Sequence, residues 1–147
     1  MPQLLGLPVP GGSELVATRT QTAPLRVLIA DDHPTYADAL RVLLSRDDRI
    51  EVVGAAGNGR QAVEMEAELE PDLVLMDLEM PVMNGLEATR ILAERGGAPV
   101  ILLTGSDSAA DVDSALSAGA LSYLPKGLDS STLLEHLLAV STTRPRS

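Results

Sequence analysis

Asp72-Leu-Val-Leu-Met-Asp77-Leu-Glu-Met-Pro81-Val-Met-Asn-Gly85 is the stretch on which the fold turns. Leu73 to Met76 are four consecutive apolar residues, the pattern of a strand covered on both faces. Asp77 stands where that strand runs out. Met80-Pro81 and Asn84-Gly85 then supply turn chemistry. A carboxylate is thereby presented at the C-terminal edge of a buried strand, the edge at which open parallel sheets bind ligands. The plainer reading is an aspartate that caps the next helix or solvates a strand end. The rest of the chain chooses between the two.

Composition narrows the field. The 147 residues suit one domain, and 45% of them are apolar. Phe and Trp are absent, and Tyr36 and Tyr123 are the only aromatics, so the core is aliphatic, as in layered α/β packing. A net charge of −10 repels phosphate backbones and argues against direct nucleic-acid binding by this chain. Without cysteine there is no disulfide and no thiolate metal site. No apolar run is long enough for a membrane span. Pro2, Pro8 and Pro10 break the leucines near the start, and no basic flank precedes them, so a secretory signal is not supported. A cytoplasmic protein is the expectation.

Residues 1–24 read as a flexible extension, with a brief helix near Glu14 to Ala17. Order is expected over 25–140, and 141–147 read as a polar tail or the start of a linker. Within the ordered part, Leu25 to Ala30 is a strand ending in Asp31-Asp32, and His33-Pro34 opens a helix running to about Ser45. Ile50 to Ala56 is a second strand. A helix follows with Ala62, Met65 and Leu69 on one face and acidic residues on the other, stopped by Pro71. The strand ending at Asp77 is third, and Gly85 to Arg95 is the helix after it. Ala98 to Leu103 is a fourth strand, with Thr104 at its end. Val112, Ala115 and Leu116 mark one face of a short helix that Gly119 closes as a left-handed cap. Leu121 to Leu124 is a fifth strand, and Asp129-Ser-Ser131 caps a last helix bearing Leu133, Leu134, Leu137 and Leu138. Strand and helix alternate five times, which predicts a parallel sheet with helices on both faces and right-handed crossovers.

That alternation gathers residues the spacing alone would leave apart. Asp31 and Asp32 follow strand one, Asp77 strand three, Thr104 strand four and Lys126 strand five. In a parallel sheet all these ends share an edge. Three crowded carboxylates repel unless a cation joins them. A hard divalent ion such as Mg²⁺, with Mn²⁺ able to replace it, suits carboxylates, water and a phosphate. An aspartate beside it can serve as nucleophile towards a phosphoryl group, with an ammonium and a hydroxyl stabilising the transferring oxygens. Lys126 is the only lysine; the other ten basic residues are arginines. The histidines lack a metal-ligand partner at close spacing: His33 reads as a helix-start residue and His136 as a packing residue. Met65, Met76, Met80 and Met83 read as core or loop packing.

Four motifs in order, Val27-Leu-Ile-Ala-Asp31-Asp32-His33-Pro34, Asp77-Leu-Glu-Met-Pro81-Val-Met-Asn-Gly85-Leu-Glu-Ala-Thr-Arg90, Leu103-Thr104-Gly105 and Tyr123-Leu-Pro-Lys126, resemble the two-component response-regulator receiver domain. The opening Asp-His-Pro and the Asn-Gly-Leu-Glu-Ala-Thr-Arg run are most similar to the NarL/LuxR (FixJ) subfamily. The resemblance implies a doubly wound, flavodoxin-like (βα)5 fold with strand order 2-1-3-4-5. It implies that Asp77 accepts a phosphoryl group from a sensor histidine kinase or a small phosphodonor. Asp32 would bind Mg²⁺ directly, Asp31 largely through water, and the Glu79 main-chain carbonyl would add a ligand. Lys126 and Thr104 would contact the phosphoryl group, and Thr104 and Tyr123 would act as the switch. Such a domain is a phosphoacceptor rather than an ordinary enzyme. Its output would be control of transcription through a DNA-binding domain absent from this chain, or a changed protein contact such as a homodimer, with exposed leucines of the last helix as the surface.

Departures from the family pattern are visible. Pro125 precedes Lys126 and Gly127 follows it, where many receivers place proline after the lysine. Ser122 stands where the subfamily commonly has glycine. Glu79 and Ser106 border the path of an attacking water. Two other classes compete: an aspartyl-phosphate phosphohydrolase using Asp77 and Glu79, and an interaction module whose pocket is idle. Phosphohydrolases of that kind place an Asp-x-Asp pair after the first strand, and an idle pocket has no need of all five residues.

Overall fold

The computed structural model describes residues 23–105 and 109–143. The suggested helix near Glu14 to Ala17, and Ser106, lie outside them. Five strands form one parallel sheet in the order β2-β1-β3-β4-β5: β1 Leu25–Ala30, β2 Ile50–Ala56, β3 Leu73–Asp77, β4 Val100–Thr104 and β5 Ser122–Pro125. The helices are α1 Pro34–Ser45, α2 Gly59–Leu69, α3 Gly85–Glu94, α4 Ala109–Ser117 and α5 Ser130–Thr143. The fold is the doubly wound, receiver-type α/β fold that the alternation and the motifs imply. β4 begins and β5 ends a residue or two later than their apolar runs suggest, and α5 continues three residues past 140.

The period of the strands builds two cores. Val27, Ile29, Leu73, Leu75, Ile101 and Leu103 point to one face, where Leu40 and Leu44 of α1 and Leu133, Leu137 and Val140 of α5 cover them. Leu28, Val74, Met76 and Leu102 point to the other, under Ala62 of α2, Ala88 and Leu92 of α3 and Ala115 of α4. β3 is buried along its whole length because both its faces are roofed. Each fully buried leucine contributes about 1.5–3 kcal/mol of transfer free energy, so the central strands anchor the sheet.

Helix starts are set by side chains. Asn58 Oδ1 accepts the Gln61 N–H at 2.9 Å, and Gln61 Oε1 accepts the Gly57 N–H at 2.7 Å. Asn84 Oδ1 accepts the Glu87 N–H at 2.9 Å and begins α3. Gly85 is glycine for a spatial reason: a Cβ there would collide with the Asp77 carbonyl oxygen and lie 3.0 Å from Leu78 Cα. Gly119, at φ +105°, closes α4 as expected.

Two expectations need correction, and one acidic side chain stands where its spacing does not show. Leu116 does not share the buried face of α4: it is 51% exposed while Ala115 is buried, because successive helical residues point about 100° apart. The leucines of α5 are not exposed; Leu133 and Leu137 are buried in the core and Leu134 and Leu138 pack against it. Among described residues the exposed large apolar side chains are Val42, Val82, Leu116 and Leu121. The acidic side of α2 is not wholly solvated either. Glu66 is buried, accepting the Ala98 N–H at 2.8 Å and pairing with Arg95 at 2.7 Å.

Candidate functional site

The C-terminal ends of β1, β3, β4 and β5 converge as the parallel sheet requires. Asp31 follows β1 directly, Asp77 ends β3, Thr104 ends β4 and Lys126 follows β5. The Lys126 N–H donates to the Thr104 carbonyl at 2.8 Å, which ties the last two ends together. An open cavity of about 630 Å³ lies over this edge, with Asp32, Asp77, Glu79, Thr104 and Lys126 among its lining. Asp31, Asp77 and Thr104 are each about 5% exposed or less.

Lys126 Nζ stands 2.8 Å from Asp31 Oδ2 and 3.3 Å from Asp77 Oδ2. Its ammonium also lies 4.6 Å from the centre of the Tyr36 ring, a cation–π contact from α1. Burial pulls the Lys126 ammonium down, but its bonds to Asp31 and Asp77 outweigh this and hold it above the ordinary lysine range. Burial raises the Asp77 carboxyl above the usual carboxylate range, and the charge of Asp31 adds to the rise. Lys126 and the Glu79 N–H, 3.5 Å from Asp77 Oδ1, pull in the opposite sense without cancelling it. Burial likewise raises the Tyr36 hydroxyl, against the charge of Lys126.

The donor set fits a divalent cation. Asp31 Oδ2 and Asp32 Oδ1 are buried oxygens whose close neighbours among the described residues are one nitrogen each, Lys126 Nζ at 2.8 Å and His33 Nδ1 at 3.1 Å, which leaves lone pairs open to an ion. Ligand atoms of Asp31, Asp32, His33 and Asp77 all fall within 4.8 Å of one another. Three carboxylates against one ammonium leave a deficit of two positive charges.

The five residues Asp31, Asp32, Asp77, Thr104 and Lys126 are therefore brought together, and Glu79 lines the same cavity. Tyr123 is not on that lining. It is half-buried on β5, packed against the core layer under α2 to α4. The bond after Pro125 is trans, as are all described peptide bonds. His136 is the packing residue expected, with Nε2 3.2 Å from Ser122 Oγ. The expectation that His33 lacks a ligand partner is overturned: its Nδ1 lies 3.0 Å from Asp31 Oδ1 and 3.1 Å from Asp32 Oδ1. A histidine directly after two aspartates was the available signal, but ring direction is set by packing. Tyr36 was missed because nothing in its spacing joins it to a lysine ninety residues on.

Fold and site together define a response regulator receiver domain. The family model of that description matches residues 27–138, and the chain belongs to this family. It is NarL-like. The signal receiver domain of the response regulator NarL from Mycobacterium tuberculosis superposes with a TM-score of 0.80 at 29% identity, over 83% of this chain and 99% of that one. The transcriptional regulatory protein YdfI of Bacillus subtilis is 41% identical over 74% of this chain and 51% of its own length. A CheX–CheY complex with BeF₃ and Mg²⁺ from Borrelia burgdorferi matches with a TM-score of 0.73 at 26% identity, over 80% of this chain and 90% of that one. The chain thus spans about half the length of the transcriptional regulator it matches. Protein-glutamate methylesterases also match, over less than a third of their length, so the domain occurs beside enzymes as well. Among the described residues no helix is long and apolar enough to cross a membrane.

Proposed function

We propose that the chain is a phosphorylation switch in which Asp77 accepts a phosphoryl group from a sensor histidine kinase or a small acyl phosphate. The observation that carries this reading is the placement of Asp77: a buried carboxylate at the end of β3, opening on the cavity with Lys126 Nζ at 3.3 Å. An Asp77 oxygen attacks phosphorus, the bond from phosphorus to the donor's nitrogen or oxygen breaks, and the leaving group departs with its electron pair. Burial makes the Asp77 carboxylate more basic, and Lys126 helps to keep it ionised for attack. The same ammonium, on a side chain that lines the cavity, stabilises charge on the transferring oxygens. Thr104 lines the same cavity, and its hydroxyl donates to a phosphoryl oxygen once it is seated.

Asp32, Asp31, Asp77 and the Glu79 main-chain carbonyl would hold Mg²⁺, or Mn²⁺ in its place. When bound, the ion supplies the two charges the cluster lacks and neutralises phosphoryl oxygens. Support comes from the clustered carboxylates of Asp31, Asp32 and Asp77, whose ligand atoms lie within 4.8 Å of one another, and from the Mg²⁺ named with the Borrelia CheY complex.

Phosphorylation adds charge and acceptor oxygens at the end of β3. Thr104 moves towards them, the loop after β4 follows, and the α4–β5–α5 surface, Tyr123 included, shifts within a pre-existing equilibrium. The output is control of transcription in the cytoplasm through a further domain; support comes from YdfI, which its name calls a transcriptional regulatory protein. Turnover is confined to the domain's own acyl phosphate. The test of the switch is amide NMR with Mg²⁺ and beryllofluoride. Shifts reaching from Thr104 to Tyr123 are expected, and spectra unchanged there would refute it.

A further inference from the structure

We infer that His33 is an additional protein ligand in the acidic pocket and biases it towards imidazole-accepting divalent transition ions over Mg²⁺. This rests on the reading of the pocket as a cation site, and adds to it a ligand and a selectivity.

The sequence fixes where the ring can be. His33 is the residue before α1, with Pro34 in the first turn, and its N–H donates to Asp31 Oδ1 at 2.8 Å. A residue at this position often turns its side chain onto the helix's free N–H groups. His33 does not: its side chain makes no capping bond. The ring faces the carboxylates instead: Nδ1 shares a hydrogen bond with Asp31 Oδ1 at 3.0 Å, which an ion would replace, and lies 3.1 Å from Asp32 Oδ1 and 3.8 Å from Asp77 Oδ2. An octahedral ion with bonds of about 2.1 Å places adjacent ligand atoms roughly 3.0 Å apart and opposed ones roughly 4.2 Å apart. The separations to Asp31 and Asp32 match adjacent positions, whereas 3.8 Å to Asp77 lies between the two values, so Asp77 would have to shift to join the same ion.

A second observation is independent of the histidine. Asp31 Oδ2, on a side chain only 2% exposed, meets the Lys126 ammonium at 2.8 Å and, among the described residues, no further hydrogen-bond donor, so a lone pair remains for an ion. The side chain of His33 is 65% exposed, so Nδ1 reaches the carboxylates from the solvent side.

Ligand chemistry then sets the preference. Mg²⁺ favours oxygen and gains little from imidazole, whereas affinity for nitrogen rises along Mn²⁺, Co²⁺ and Ni²⁺. A site of three carboxylates and one imidazole therefore gains most with the later ions. The competing role for the ring is that of a protonated counter-charge that any incoming ion must displace. That role predicts the opposite effect of removing it.

The experiment uses the full, untagged chain carrying His136→Gln, so that His33 is the one imidazole left. Mg²⁺, Mn²⁺, Co²⁺ and Ni²⁺ are titrated calorimetrically with and without His33→Asn, and the Co²⁺-loaded forms are compared by paramagnetic proton NMR. The expected result is that His33→Asn weakens Co²⁺ and Ni²⁺ roughly 10–100-fold, the range seen even for outer partners of metal ligands. Mg²⁺ affinity stays unchanged, and a strongly shifted, exchangeable ring proton disappears. Equal strengthening of all four ions, equal weakening, or no shifted ring proton before the substitution overturns the inference while leaving the cation pocket standing. Binding of no ion at all, in the chain with His33 intact, overturns the pocket as well. Asp32→Asn, expected to weaken every ion, separates loss of the site from loss of selectivity.

Discussion

Gly85→Ala tests whether the loop carrying Asp77 is held as tightly as the structure shows. A methyl at Gly85 would collide with the Asp77 carbonyl oxygen and sit 3.0 Å from both Leu78 Cα and Leu102 Cδ2. Two of these are backbone atoms, and neither can step aside: the Leu78 N–H donates to the Leu103 carbonyl at 3.0 Å, and the Gly85 N–H donates to the Leu78 carbonyl at 2.8 Å. Overpacking of this kind costs about 1–3 kcal/mol. Opening the loop also loses the Gly85 to Leu78 bond, about 1 kcal/mol, and disturbs the Asn84 cap, about 1 kcal/mol more. Replacing glycine in a helix returns up to about 1 kcal/mol. The net expectation is a loss of about 2–4 kcal/mol. Urea unfolding followed by far-UV circular dichroism measures it, since the chain has no tryptophan. Stability within about 0.5 kcal/mol of the unaltered chain would show that the approach is not tight and refute the reasoning.

Other perturbations read other parts of the structure. Glu66→Ala removes a charge-assisted bond and leaves the Ala98 N–H without its partner, so a loss of about 1.5–3 kcal/mol is expected in the same assay. Glu66→Gln, able to keep an acceptor there, should lose less. Asp47 accepts both the side chain and the N–H of Arg49 and titrates at about 2. Its contribution is full above the ordinary value near 3.8 and fades as pH falls through about 2, and carboxyl carbon NMR should move it part of the way back to the ordinary range in Arg49→Ala, where the backbone N–H of residue 49 still donates. Asp77 has the opposite sign: its folded value is raised, so the fold binds that proton more tightly than the unfolded chain, and stability falls as pH rises from about 4 through the raised value. Melting temperatures across that window should therefore drop less steeply in Asp77→Asn than in the unaltered chain.

Much of this was legible because local and global signals agree. The run Leu73 to Met76 announces a doubly covered strand, and the turn chemistry of Asn84-Gly85 falls where the structure begins α3. Once five strands are parallel, Asp31, Asp32, Asp77, Thr104 and Lys126 must share an edge, and no side-chain detail is needed to gather them. What stayed hidden depends on partners remote in sequence. Glu66 looks like one more solvated acid until Arg95 and Ala98 arrive 29 and 32 residues later. The inward turn of His33 and the ring of Tyr36 beneath Lys126 are side-chain placements that no periodicity encodes. Glu70 at φ 50° and Val82 at φ 69° take left-handed backbone that neither residue type advertises. The α5 leucines were read as an outward surface because their spacing is amphipathic, but it does not say how much of the sheet lies beneath them.

The central claim is that Asp77 is the phosphoacceptor, and intact mass spectrometry after incubation with Mg²⁺ and acetyl phosphate tests it most directly. A single phosphoryl adduct, lost in Asp77→Asn and strongly reduced in Lys126→Ala, is the predicted result. An unmodified chain, or an adduct that persists in Asp77→Asn, would contradict it.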